Sequence, residues 1–218
     1  MQQFKHHCII DEINYNKDEL INLFNRIPKE CELPWNQYKK AIKKDGGAKG
    51  YTRNQNRGDG GLNGIFTPYW EGKQITEYPE VQNVLKCFNF ITPLDPHDIT
   101  FMTYTPGFTF ANHTDRYLDY NIMFPLIPTD GGEAITFYKG EDEDRDNPLG
   151  IEYTYKYNTT HPTVFNGKTI HSVDTIKEYR VMFRIKVVNE PYNDMIDRYK
   201  ANNFINLLKL STYLTKKR

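Results

Sequence analysis

Three side chains of this sequence could together hold a metal ion: His113, Asp115 and His171. His113 and Asp115 form an H-x-D pair, and in an extended chain residues i and i+2 point to the same side, so their ligand atoms converge. The third ligand would come from His171, further along the chain. Two histidines and one carboxylate on one face of an octahedron leave positions open, as in non-haem Fe(II) centres where a co-substrate and O2 must both reach the metal.

An H-x-D pair alone is a weak signal, because chance matches are common. The alternative hypothesis is a non-catalytic β-sandwich binding module in which this pair is incidental. The remaining four histidines are interpreted as structural residues, because a lone histidine more often packs or lies at the surface than binds a metal: His6, His7, His97 and His161.

A positive charge near the third ligand strengthens the metal hypothesis. Arg180 is the ninth residue after His171, so a tight turn would bring it onto an adjacent strand facing the same cavity. A guanidinium there could bind the far carboxylate of a dicarboxylate ligand in bidentate fashion. Arg184 lies on the same strand face, because residues of equal parity share a face. One of the two is expected to be the anchor, and Arg180 is favoured; the alternative for Arg184 is a surface ion pair.

The order and spacing of short motifs resemble the prolyl 4-hydroxylase branch of the 2-oxoglutarate oxygenases. The resemblance covers about residues 100–188. The motifs that carry it are Tyr104-x-Pro106-Gly107, His113-x-Asp115, Pro125-Leu126, Gly131-Gly132-Glu133, Phe165 followed by Ile170-His171-Ser172-Val173, and Arg180.

This resemblance implies a double-stranded β-helix, a relative of the jelly roll. It implies that His113, Asp115 and His171 bind Fe(II), that Arg180 binds the distal carboxylate of 2-oxoglutarate, and that Tyr104 lines the co-substrate pocket. The cofactors would be Fe(II), 2-oxoglutarate and O2, with ascorbate as an optional reductant. The expected reaction is hydroxylation of a C–H bond.

The substrate is less well defined by the sequence. A protein or peptide is favoured, whereas a small metabolite and a nucleic acid stay open as alternatives. Basic and aromatic residues within residues 39–70 could form a nucleic-acid groove, but an exposed helix next to a loop would show the same composition. Residues 45–64 are rich in glycine and asparagine and are predicted to form a long mobile loop.

Composition and charge restrict the class of protein further. The chain has 218 residues, 38% hydrophobic and 14% aromatic content, and a formal net charge of zero, which favours a packed domain without a global field for nucleic acid or membrane. Three scattered cysteines form no disulfide framework. No apolar run approaches the roughly 20 residues of a membrane helix. We expect one soluble cytoplasmic domain, as a monomer or homodimer.

Helical and strand-like patterns divide the chain into three regions of that single domain. Residues 1–95 are expected to give helical support and the mobile loop, with a short strand at 4–13 and helices at 17–27, 34–44 and 79–91. Residues 96–190 are expected to form the β core, with strands near 98–104, 120–126, 134–138, 152–157, 163–166 and 180–188. Residues 191–218 are predicted to form a C-terminal helix. The fold class is therefore mainly β with supporting helices, arranged as a jelly-roll-like sandwich.

Overall fold

The computed structural model describes most of the β-rich part of the chain. The described residues are 3–26, 65–67, 69–70, 73–95, 98–104, 106–107, 109–115, 118–128, 130 and 132–206. The predicted helix at 34–44, the predicted loop at 45–64, His97 and the last part of the predicted C-terminal helix therefore lie outside the described residues. So do most of the basic and aromatic residues within 39–70.

Four α-helices are described, and three of them differ from the sequence prediction, which extended the helix at 79 as far as residue 91. They are α1 (Gln3–His6), α2 (Lys17–Arg26), α3 (Pro79–Leu85) and α4 (Tyr192–Lys200). The N-terminal segment was predicted as one strand, but it begins as α1 and becomes a strand only at His7. The predicted continuous C-terminal helix ends at Lys200, where Asn202 takes a positive φ of 58°. No helix of the described part is long and apolar enough to cross a membrane.

Twelve strands follow the chain through the described residues. They are β1 (His7–Ile9), β2 (Ile65–Thr67), β3 (Tyr69–Trp70), β4 (Lys73–Gln74), β5 (Ile99–Tyr104), β6 (Phe110–His113), β7 (Tyr120–Ile127), β8 (Ile135–Tyr138), β9 (Ile151–Tyr155), β10 (Thr163–Asn166), β11 (His171–Val173) and β12 (Arg180–Val187). All six predicted core strands are present within a few residues. The sequence pattern missed β2, β3, β4, β6 and β11.

Two antiparallel sheets form the core. One has six strands in the order β1-β10-β7-β12-β5-β2, and the other has four in the order β6-β11-β8-β9; β3 and β4 form a separate hairpin. From β5 to β12 the chain passes repeatedly between the two sheets, with β5, β7, β10 and β12 in the larger sheet and β6, β8, β9 and β11 in the smaller one. This is the predicted double-stranded β-helix, and the fold class is thereby confirmed.

The side-chain alternation of the larger sheet separates two apolar layers. Along β12, Val181, Phe183 and Ile185 belong to a core shared with residues of helices α2, α3 and α4. Met182, of the opposite parity, belongs to a second cluster with residues of the smaller sheet, including Phe137. Since Arg180 and Arg184 share the parity of Met182, both arginines face the space between the two sheets.

Candidate metal centre

The two candidate histidines lie directly opposite each other in the smaller sheet. His113 is the last residue of β6 and His171 the first residue of β11, and the two are cross-strand partners in this antiparallel pair. Their ring centroids are 4.3 Å apart. Directly opposed residues of adjacent strands carry neighbouring side chains on one face of the sheet. Antiparallel pairing therefore brings together two residues that are distant in the sequence.

Backbone hydrogen bonds fix which nitrogen of each histidine can bind a metal. Nδ1 of His113 lies 2.8 Å from the carbonyl oxygen of Ala111, and Nδ1 of His171 lies 2.8 Å from the carbonyl oxygen of Thr169. A carbonyl only accepts, so each Nδ1 must carry the proton and donate. The lone pair of each Nε2 is then available for a ligand bond, which is the common arrangement of metal-binding histidines.

Asp115 completes the group just after β6. Its backbone N–H donates to the carbonyl of Gly167 at 2.7 Å, and its Oδ2 lies 3.9 Å from Nε2 of His171. Candidate ligand atoms of His113, Asp115 and His171 all lie within 4.8 Å of one another. Three ligands on one face of an octahedron, each about 2 Å from the ion, lie about 3 Å apart, so these side chains would hold a first-row metal after drawing closer by about 1–2 Å.

The electrostatic surroundings favour an ionised carboxylate at Asp115. Burial by itself would raise the pKa of this carboxyl group, but His171, His113 and Arg184 all lower it. Asn121 adds a hydrogen bond from Nδ2 to Oδ2 of Asp115 at 2.7 Å. The net pKa of Asp115 lies below its ordinary value, so the group is a charged, acceptor-only ligand at neutral pH.

The backbone at Gly167 packs closely against the segment that carries Asp115. A Cβ atom at Gly167 would lie 3.1 Å from the carbonyl oxygen of Leu118 and 3.3 Å from Cβ of Asp115. Any larger residue would push against the segment that carries the carboxylate. The sequence analysis identified neither Gly167 nor Asn121.

Arg180 and Tyr104 meet across adjacent strands on the inner face of the larger sheet. They are direct cross-strand partners in the β12–β5 pair, and each is only 2% exposed. Nη2 of Arg180 donates to the carbonyl of Glu133 at 3.1 Å, and its guanidinium carbon lies 4.6 Å from the ring centroid of Tyr157. Burial raises the pKa of both Tyr104 and Tyr157, so both phenols are neutral donors. Tyr157 is a further residue that the sequence analysis did not identify.

Arg184 lies on the same wall but nearer to Asp115. It is 8% exposed and pairs with Thr100 of β5 and Met123 of β7. The two arginines are four positions apart in the sequence, which corresponds to about 13 Å along β12. The charge of Arg184 helps to lower the pKa of Asp115. Its burial is inconsistent with the alternative of a surface ion pair.

An acidic loop at residues 140–147 has a defined contact with this centre. Its residues 142–144 form a 3-10 helix, and the hydroxyl of Thr114 donates to Oδ1 of Asp142. Thr114 is the middle residue of the H-x-D pair. This hydrogen bond holds Asp142 of the loop next to the H-x-D pair.

Two of the three comparisons with known proteins found no match. No protein-family model matches the sequence, and no curated protein matches it. Among solved structures, the chain is similar to a prolyl-4-hydroxylase from Pseudomonas putida, with 20% sequence identity and a TM-score of 0.30. The match covers 42% of this chain and 50% of that chain. A similarity of this size does not bear on function, so the functional argument rests on the geometry above.

Proposed function

We propose that this protein is an Fe(II)- and 2-oxoglutarate-dependent dioxygenase that hydroxylates a C–H bond of a peptidyl substrate. The observation that carries the proposal is the convergence of His113, Asp115 and His171, together with a buried Arg180 on the inner face of the larger sheet. Two histidines and one carboxylate suit a redox-active ion that must keep positions open, whereas a structural zinc site would be closed by a fourth protein ligand.

Different residues of the chain would bind the metal and the co-substrate in such a centre. Nε2 of each histidine and the carboxylate of Asp115 would hold the ion, and the guanidinium of Arg180 would bind the distal carboxylate of 2-oxoglutarate, beside the Tyr104 phenol. When bound, iron supplies the activation of O2 that converts 2-oxoglutarate to succinate and CO2 and places the second oxygen atom on the substrate carbon. The buried side chains on the inner face of the larger sheet would fix the co-substrate and exclude water, which would strengthen each charged contact.

The acidic loop supports a peptide rather than a nucleic acid as substrate. Five carboxylates lie within residues 141–146, with Arg145 as the single basic residue among them. The hydrogen bond from Thr114 to Asp142 holds this loop beside the metal ligands. Phosphate groups approaching the centre would be repelled by these charges. A peptide carries no such obligatory negative charge along its backbone.

Turnover tests the proposal directly. Purified protein is incubated with Fe(II), ascorbate, 2-oxoglutarate and a peptide library, and succinate and the oxygenated peptides are measured by mass spectrometry. We expect succinate formation that depends on both metal and 2-oxoglutarate, and its loss in His113→Ala. His161→Ala is the matched control, because its ring contacts the carbonyl of Ile13 away from the triad. If the wild-type protein binds no 2-oxoglutarate in the presence of metal, the proposal is wrong.

A further inference from the structure

Asn121 is a buried amide in an apolar setting next to the metal triad. It lies on β7, is 6% exposed, and pairs with Phe165 on one side and Lys186 on the other. The neighbouring inward-facing residue of β7 is Met123, which belongs to the apolar cluster between the sheets. Strand positions of this kind normally hold apolar residues, so an asparagine here needs a specific explanation.

The orientation of the amide follows from the chemistry of its partner. Nδ2 of Asn121 lies 2.7 Å from Oδ2 of Asp115. A carboxylate only accepts hydrogen bonds, so the amide nitrogen must face it and the amide oxygen must point elsewhere. The short distance is that of a charge-assisted bond, which holds the carboxylate in a single orientation.

The other end of the amide has no comparable contact. Oδ1 of Asn121 is buried and has no hydrogen-bond partner within the described part of the chain. A buried acceptor that lacks a partner costs free energy, and a leucine of similar size would avoid that cost. Asn121 is therefore a poor choice for stability alone. We therefore look for its role in two features: the hydrogen bond from Nδ2 that orients Asp115, and the Oδ1 acceptor, which can accept a hydrogen bond from a bound ligand.

We propose that Asn121 is the positioning residue of the metal centre: it aligns the Asp115 carboxylate for the ion and offers Oδ1 to a water bound beside it. The inference rests on the proposed function, because it requires that the triad binds a metal. Hydrogen bonds to metal-binding carboxylates commonly tune both orientation and affinity. Without this bond, Asp115 would retain its charge but sample several orientations.

The experiment compares metal binding with stability in Asn121→Leu and Asn121→Ala. Co(II) affinity is measured by calorimetry, the Co(II) d–d absorption reports the coordination geometry, and the thermal midpoint is measured without metal. We expect Co(II) affinity to fall about 10- to 100-fold and the spectrum to change, while the metal-free midpoint of Asn121→Leu stays close to that of the wild type. A purely structural asparagine would give the opposite pattern, with a lower midpoint and unchanged affinity.

Thr163→Val is the matched control. Thr163 is fully buried on β10, and its hydroxyl forms a hydrogen bond of 2.8 Å with Tyr155, away from the ligands. We expect this variant to lose stability but not Co(II) affinity. If the wild type itself binds no Co(II), the proposed function and this inference both fail. If the wild type binds and both Asn121 variants bind equally well with unchanged spectra, only the role of Asn121 is wrong. Asn121→Ala also decides the question should the leucine variant not fold.

Discussion

The assignment of Arg180 as the co-substrate anchor can be tested by comparing two 2-oxo acids. 2-Oxopentanoate carries a methyl group where 2-oxoglutarate carries its distal carboxylate, so only 2-oxoglutarate can use the anchor. In Arg180→Ala we expect the affinity for 2-oxoglutarate to fall sharply and the affinity for 2-oxopentanoate to change little. Metal binding should survive, because Arg180 is not one of the three ligands.

The expected size of the loss follows from the burial of Arg180. Arg180 is only 2% exposed, so its charge is desolvated. Solvent screening, which weakens ion pairs at the surface, therefore has little effect on it. Truncating one partner of a buried, hydrogen-bonded charge pair costs about 2–5 kcal/mol. Nη2 is already shared with the Glu133 carbonyl, which places the estimate in the lower half of that range. A loss of about 3 kcal/mol corresponds to about a 100-fold weaker affinity.

The assay is calorimetry of each acid with the Ni(II)-loaded protein, which binds without turnover. Arg184→Ala is the matched variant, because it removes the same group from the same strand face. Since Arg184 lies nearer to Asp115, we expect its loss to affect both acids to a similar extent. Equal losses for both acids in Arg180→Ala, or a loss specific to 2-oxoglutarate in Arg184→Ala, would refute the assignment.

Three further outcomes follow from the structure. Co(II) at 100 times its dissociation constant should stabilise the protein by about 2.7 kcal/mol and raise its thermal midpoint, and His171→Ala should abolish this shift. Gly167→Ala should weaken Co(II) binding because its Cβ would press on Leu118 and Asp115, whereas alanine at exposed Lys168 should not. Burial lowers the pKa of His7 to about 4. Metal-free stability should therefore fall by up to about 3 kcal/mol as the pH decreases from 6.5 towards 4, because only the unfolded state binds the proton readily, and His7→Phe should flatten this dependence in urea titrations.

The sequence predicted the long strands well because their side-chain alternation is strong. Strand β12 has eight residues, and the shared parity of Arg180 and Arg184 correctly placed both arginines on one face. The convergence of His113 and Asp115 was also inferred, since H-x-D geometry in an extended chain needs no knowledge of the partner strand. These predictions depend on local chain geometry, which the sequence specifies directly.

The features that were missed depend on contacts between distant segments. Strands β6 and β11 have four and three residues, too few to show a period, and they are ordered by pairing with each other. Neither Asn121 nor Tyr157 belongs to a recognisable sequence motif. The role of Asn121 becomes visible only when β7 lies beside Asp115, and that of Tyr157 only when the segment after β9 lies against Arg180. The N-terminal segment contains a strand, but α1 precedes it, because pairing with β10 involves only His7 to Ile9.

Strand direction links the two halves of the proposed site. β6 runs towards the triad and ends in His113, and β11 begins there and runs away, so the turn at residues 174–179 lies at the opposite end of the sandwich. β12 must then start at that far end and return. This strand order places Arg180 far from the ion, and it places Arg184 between Arg180 and the ion. The result does not depend on which side chains occupy the intervening positions. A ligand that binds both the ion and Arg180 must therefore carry negative charge at both of its ends, which is the property that distinguishes 2-oxoglutarate from a simple 2-oxo acid.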